Sequence, residues 1–243
     1  MIRLDRCLVA LGVGSRSQVQ KLIRAGAVAA AGETLRDPAA QIAEGTPICV
    51  RGEPLDTRLA RTVLLDKPAG LLTAARDRKQ PTVMNLLPPA FGTLGCMPVG
   101  RLDKDTTGLL LLTTDGELAH RLLSPARHVD KTYLAEVDGP LTAREAGRMA
   151  EGLLLDGETE PTRPARLEIL ESRADFARAY LTIHEGRFHQ VKRMFEAVGR
   201  TVTALRRVSF GPLRLEGDPR PGFWRDLTAE EERALRRAAG LEE

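Results

Sequence analysis

Cysteine is scarce in this chain: Cys7, Cys49 and Cys96 are its three thiols among 243 residues, widely spaced and without a C-x-x-C pair. That usage excludes a disulfide framework and a thiolate zinc site, and it predicts reduced, packed thiols in a cytoplasm. No stretch approaches the roughly eighteen consecutive apolar residues that cross a bilayer. Residues 1–6 open in a charged pattern with no signal-peptide core, so neither export nor membrane insertion is expected. A dinucleotide fingerprint, a P-loop and metal-ligand clusters are missing, as are repeats and low-complexity tracts. No cofactor or metal is therefore expected.

What is there suits one large domain, or one of medium size with a small companion. The 42% hydrophobic content supports a real core. The net charge of +3 says little, but its distribution says more. Between His184 and Arg214, seven bases (Arg187, Lys192, Arg193, Arg200, Arg206, Arg207, Arg214) face two acids, Glu185 and Glu196. Such a concentration suits contacts with phosphates.

Helical spacing places Leu4, Leu8 and Leu11 on one face of residues 3–11. Ser15 with Gln18 reads as a capping box opening a second helix, with Val19, Leu22 and Ile23 inward and Gly26 as its stop. Extended pieces are expected over 27–31 and 47–50, with a turn at Gly32-Glu33, and 52–61 reads as a linker. A strand from Thr62 then runs into a Pro-Gly turn, a short helix follows Thr82, and Leu109 to Leu112 form a strand covered on both faces. A helix over 117–123, strands over 131–137, 163–170 and 178–183, and a helix between Gly186 and Gly199 come next. That helix turns Val191, Met194, Phe195 and Val198 inward, with His189, Lys192, Arg193 and Glu196 opposite. Strands over 202–208 and 213–215 precede a last helix capped by Thr228 with Glu231. Helices and strands do not alternate strictly, so the class is α+β, with a mixed, largely antiparallel sheet flanked by helices.

The most informative stretch is Gly100-Arg101-Leu102-Asp103-Lys104-Asp105-Thr106-Thr107-Gly108, a charged loop fixed to the start of an apolar strand. Three kinds of protein carry such a loop. A helix-loop-helix calcium site needs a bidentate Glu at its twelfth position, where this chain has Thr114. An aspartyl-phosphate phosphotransferase has D-x-D-x-T closing an apolar strand, whereas Cys96-Met97-Pro98-Val99-Gly100 is a poor strand and the apolar run comes afterwards.

The third is a uridine isomerase. The Gly100–Gly116 stretch, with Lys131-Thr132-Tyr133 and Glu185-Gly186-Arg187-Phe188-His189-Gln190-Val191-Lys192-Arg193-Met194, resembles three motifs of the Rsu-type pseudouridine synthases in the right order. The N-terminal part is similar to S4-type RNA-binding domains, with Arg16, Lys21 and Arg24 on the polar face of its second helix. It departs from them in placing Ala29, Ala30 and Ala31 where β-branched residues are expected. The resemblance implies an S4-type domain over residues 1–58 and a catalytic domain over 59–243. Phe188 to Met194 is similar to the branch that acts on 16S rRNA of the small subunit, which implies uridine 516 as target and a partly assembled ribosomal particle as substrate. The alternatives are a large-subunit (23S) rRNA synthase of the same family and a non-catalytic rRNA-binding assembly factor.

Pseudouridine formation breaks the bond from uracil N1 to the ribose, turns the base and reconnects it through C5, with no net redox change or hydrolysis. It needs a group that adds to the nucleotide and leaves again, as a carboxylate does. By resemblance that group is Asp103. Lys192 is the cation expected to keep it charged in a dry pocket, with Arg193 adjacent. Tyr133 has a flat face for the uracil and a hydroxyl for proton transfer at C5. Arg101, Arg187, Arg193 and His189 are candidate RNA contacts, since the target base must leave its stack to react. Asp105, Thr106 and Thr107 are expected to hold the loop through side-chain bonds to the backbone.

Overall fold

The computed structural model describes residues 1–124, 127, 129–218 and 220–241. The N-terminal unit runs β1 (Ile2–Arg3), α1 (Leu4–Ala10), α2 (Arg16–Arg24), β2 (Val28–Ala30), β3 (Glu33–Leu35), β4 (Gln41–Ile42), β5 (Ile48–Val50) and β6 (Glu53–Leu55). Ser15 and Gln18 form the expected capping box at α2, and Leu4, Leu8, Leu11, Val19 and Ile23 close a small core with Val28 and Ile48. The alanines of β2 do form a strand. Paired on both sides, by β3 and β5, it takes its conformation from its neighbours and not from its own propensity.

The linker expectation is corrected in two ways. Residues Glu53–Leu55 pair with β5 and belong to the first sheet. The remaining stretch to Arg61 is fastened, not free: one Glu44 carboxylate oxygen accepts from the amides of Leu59 (2.8 Å) and Ala60 (2.9 Å), and Arg61 reaches Asp226 at 2.5 Å. None of these long-range bonds leaves a periodic signal.

The second unit comprises β7 (Thr62–Lys67), α3 (Pro89–Thr93), β8 (Met97–Val99), β9 (Thr107–Thr113), α4 (Gly116–Leu123), β10 (Lys131–Asp138), α5 (Ala143–Glu151), β11 (Arg166–Ser172), β12 (Phe176–Ile183), α6 (Gln190–Ala197), β13 (Val202–Phe210), β14 (Leu213–Arg214), β15 (Trp224–Asp226) and α7 (Ala229–Ala238). Its sheet has the order β11-β12-β10-β13-β9-β7-β15, with β14 added to β13 and β8 to β9. Every pairing is antiparallel except β13 with β9. The poor-strand reading of 96–100 is thus overturned. Pro98 is tolerated because β8 lies at an edge of the path, attached to β9 alone.

The run Leu109–Leu112 is central, as expected. Leu110 and Leu112 face one core with α6, and Leu109 and Leu111 face another with α4 and α7. Burying each of these leucines contributes about 1.5–3 kcal/mol. Gly108, at φ +99°, is the second residue of β9 and pairs with Arg207, and a Cβ there would collide with the Arg207 carbonyl. Only glycine permits the parallel strand to approach at that point. The catalytic candidates therefore start from a rigid place: the loop 100–107 enters the middle of the sheet between β7 and β13.

Candidate active site

The loop is held from behind. Lys67, at the end of β7, is fully buried, and its Nζ donates to the carbonyls of Pro68 (3.0 Å), Asp103 (3.1 Å), Lys104 (3.2 Å) and Thr106 (2.9 Å). Thr73 adds a reciprocal pair: its Oγ1 donates to the Leu102 carbonyl at 2.8 Å and accepts from the Leu102 amide at 3.2 Å. These two residues do much of what was expected of Asp105, Thr106 and Thr107, of which Thr107 makes such a bond, its Oγ1 donating to the Leu205 carbonyl at 3.4 Å. The Thr106 hydroxyl has no hydrogen-bond partner among the described residues, and Asp105 points to Lys192 instead. Burial lowers the Lys67 ammonium pKa to about 8, against the opposing pull of Asp105 and Asp103. Nothing in a strand ending Leu65-Asp66-Lys67-Pro68 names this lysine as functional. The one available signal is a cation closing an otherwise buried strand.

In front of the loop lies a cavity of about 660 Å³ lined by Arg101, Asp103, Lys131, Tyr133, His189, Lys192 and Arg207, among others. Its size is that of a small-ligand site. The carboxylate of Asp103 stands on its wall, with His189 Nε2 3.3 Å from Oδ1 and Lys192 Nζ 3.6 Å from Oδ2. Lys192 is closer to Asp105, at 2.7 and 2.8 Å, and this hydrogen bond holds the Asp105 carboxyl below the usual carboxylate range. One lysine thus bridges two carboxylates, with the tighter bond to the more exposed one. Tyr133 projects from β10 into the cavity and is largely buried. Loop, strand and helix converge: Asp103, Tyr133 and Lys192 meet in one pocket although 89 positions separate the first from the last.

Two residues not singled out as site candidates line the same cavity. Arg207 is buried, donates from Nε to the Leu109 carbonyl at 2.7 Å, and has an Nη2 without a hydrogen-bond partner among the described residues. Lys131 donates to the Val129 carbonyl at 2.7 Å. Its pKa is lowered to about 8, first by burial and then by the neighbouring Arg207. Both belong to stretches that the sequence itself marks out, the Lys-Thr-Tyr triplet and the basic run after His184.

The other candidates divide. Arg101 is exposed and makes no hydrogen bond or ion pair with the described residues. Arg16, Lys21 and Arg24 are exposed on α2, away from this cavity. Arg187 and Arg193, also expected as RNA contacts, have their guanidinium groups engaged within the protein. Arg187 donates to the carbonyls of Glu160 (2.9 Å) and Pro161 (2.7 Å), and Arg193 to Glu158 (2.9 Å) and the Asp156 carbonyl (2.6 Å). Their donors fasten the wall of the pocket from inside.

Residues 61–197 match the RNA pseudouridylate synthase family, and residues 2–48 match the S4 domain. The chain belongs to the RNA pseudouridylate synthase family. A Bacillus subtilis protein described as an uncharacterized RNA pseudouridine synthase is 42% identical over 231 residues, spanning 95% of this chain and 96% of its own length. The ribosomal small subunit pseudouridine synthase A of Haemophilus influenzae is 42% identical over 233 residues, 95% of this chain and 97% of that one. Its Escherichia coli namesake is 40% identical over 233 residues, 95% of this chain and 98% of its own. A crystal structure of a pseudouridylate synthase superposes with a TM-score of 0.67 at 39% identity, covering 97% of this chain and all of that one. The family is one of isomerases, and the S4 and α+β synthase architecture expected from the motifs is the one observed. No described helix of this synthase is long and apolar enough to cross a membrane.

Proposed function

We propose that this synthase isomerises a uridine of small-subunit (16S) rRNA in the cytoplasm, at uridine 516, and that it acts on a partly assembled ribosomal particle. The single observation that carries the chemistry is the Asp103 carboxylate, flanked at 3.3 Å by His189 and at 3.6 Å by Lys192 on the wall of a cavity that fits one extruded nucleotide. Asp103 is the catalytic carboxylate, which adds to the nucleotide and leaves it again. Lys192 sets a cation beside it, at 3.6 Å, to balance the charge of the reacting carboxylate. Tyr133 stacks on the freed uracil and serves proton transfer at C5. Arg101, with no partner among the described residues, contacts a phosphate beside the pocket.

Residues 1–58 form the RNA-docking domain and 59–243 the catalytic one. Arg16, Lys21 and Arg24 tether the substrate and so raise the effective concentration of RNA at the pocket. The small-subunit assignment is supported by the relatives of that description, which align over nearly the whole chain.

The test is pseudouridine mapping of rRNA from a deletion strain carrying either the wild-type gene or Asp103→Asn. One uridine of 16S rRNA should lose its modification in the deletion, regain it with the wild type, and stay unmodified with Asp103→Asn while RNA binding persists. A change confined to 23S rRNA would move the substrate to the large subunit. Full complementation by Asp103→Asn would leave a binding protein in place of the mechanism.

A further inference from the structure

Aromatic residues are few here, two Tyr, one Trp and six Phe. Phe188 is the one aromatic among the large hydrophobic side chains that the described residues leave exposed, at 76%. It stands at the mouth of the pocket that holds Asp103. Its ring lies flat on that of His189, with centroids 3.8 Å apart and planes 18° from parallel. His189 in turn reaches Asp103 at 3.3 Å. One continuous ledge therefore runs from the open surface to the candidate carboxylate.

The ledge is rigid where a surface aromatic is ordinarily loose. The Arg187 amide donates to Gln190 Oε1 at 2.9 Å, and the Phe188 carbonyl accepts from Arg193 at 3.2 Å. The Arg187 guanidinium is anchored on the Glu160 and Pro161 carbonyls. His189 is held in the left-handed region at φ +47°, a conformation costly for a non-glycine residue and kept only by such surroundings. A ring displayed on a clamped backbone loses little freedom when a partner docks.

We infer that Phe188 and His189 form a stacking ledge that receives an unpaired RNA base adjacent to the uridine being modified. The inference rests on the function proposed above. Extruding a nucleotide leaves its neighbour with one face unstacked. The His189 ring already covers one face of Phe188, so the base joins the stack on the other. Arg101 and Lys104 line the same pocket and suit the phosphates on either side of such a base, a polyanionic setting that fits RNA better than an apolar protein partner. Because every base offers a π-face, the ledge tolerates any base identity but not the loss of the base.

The experiment uses the full-length protein and RNA containing the uridine that the wild type converts. Phe188→Ala should raise KM by roughly tenfold, as expected when one base–aromatic stack is removed. It should leave kcat within about twofold, since the stack is made equally before and during the reaction, and leave Tm unchanged. Phe188→Tyr should restore KM, and Phe188→Leu should not. An abasic site at one position flanking the target should cost the wild type the same factor and cost Phe188→Ala nothing further. A KM for Phe188→Ala within twofold of wild type, full function with Leu, or equal abasic penalties in both proteins would overturn the ledge. If the wild type converts no uridine, the proposed function fails. The ledge is then judged by 2-aminopurine fluorescence in single-stranded RNA, quenched by the wild type and not by Phe188→Ala; absence of quenching refutes it.

Discussion

The ammonium of Lys67 lies 3.1 Å from the main-chain oxygen of Asp103, so the proposed catalytic carboxylate hangs from a buried cation on the neighbouring strand. Three further carbonyls share that cation. Lys67→Met keeps the aliphatic stem but leaves buried carbonyls without a donor, each worth roughly 1–3 kcal/mol. The expected result is a destabilisation of about 2–4 kcal/mol by urea denaturation, read with a loss of kcat on the order of a hundredfold, because a displaced loop misplaces Asp103. Near-normal turnover in a folded Lys67→Met protein would show that the loop holds its shape without it.

Burial lowers the pKa of both Lys67 and Lys131 from an ordinary 10.5 to about 8. Below pH 8 folded and unfolded chains are both protonated and stability is flat. Between about 8 and 10.5 the unfolded chain binds more protons, so these groups make stability rise with pH. The urea midpoint of the wild type should therefore climb relative to that of Lys131→Met across this window. Activity should move the other way, since a neutral Lys67 amine has fewer protons to share among four carbonyls. Parallel denaturation profiles for the two proteins would mean that Lys131 keeps its solution pKa.

Lys192 serves two acids unequally, at 2.7 Å for Asp105 and 3.6 Å for Asp103. Lys192→Met should lower the single-turnover rate by at least a hundredfold while changing RNA affinity little. Asp105→Asn frees the lysine to move toward Asp103 and should cost no more than about tenfold. The double variant should be no slower than Lys192→Met alone, because both changes act through one network. Additive losses would assign Asp105 a role independent of Lys192.

Much of this arrangement is legible in the amino-acid sequence. Alternation locates β12, paired leucines locate β9 at the sheet centre, and the capping boxes at Ser15 and Thr228 locate α2 and α7. The motif that opens with Gly100 points to the acid, and its companions point to Tyr133 and Lys192. Helix α5 escapes such a reading although Thr142 and Glu145 make the same capping box, because the apolar stripe behind it is thin: Met149 is its one buried residue. Strand β15 escapes it because three residues hold too little pattern. Lys67, Thr73 and the clamped Arg187 and Arg193 act through carbonyls far away in sequence, and a main-chain acceptor has no letter of its own. The Asp105–Lys192 preference is likewise a matter of 0.9 Å in the folded state.

Arg16, Lys21 and Arg24 stand exposed on α2 with no carboxylate partner among the described residues, the arrangement expected of cations that meet phosphates. Replacing all three by Gln should flatten the plot of log binding constant against log salt concentration by about two units, since fewer phosphates are then neutralised and fewer counterions released. Tm should hold, because exposed side chains without partners contribute little to stability, and kcat at saturating RNA should be unchanged. Arg187→Gln with Arg193→Gln provides the contrast. Those guanidinium groups bond to the Glu160, Pro161 and Asp156 carbonyls, so their removal should lower Tm and leave the salt slope nearly intact. Salt-titrated RNA binding and thermal denaturation of the two variants separate the roles. If the Gln triple leaves the slope unchanged, the N-terminal domain meets its partner through a different face.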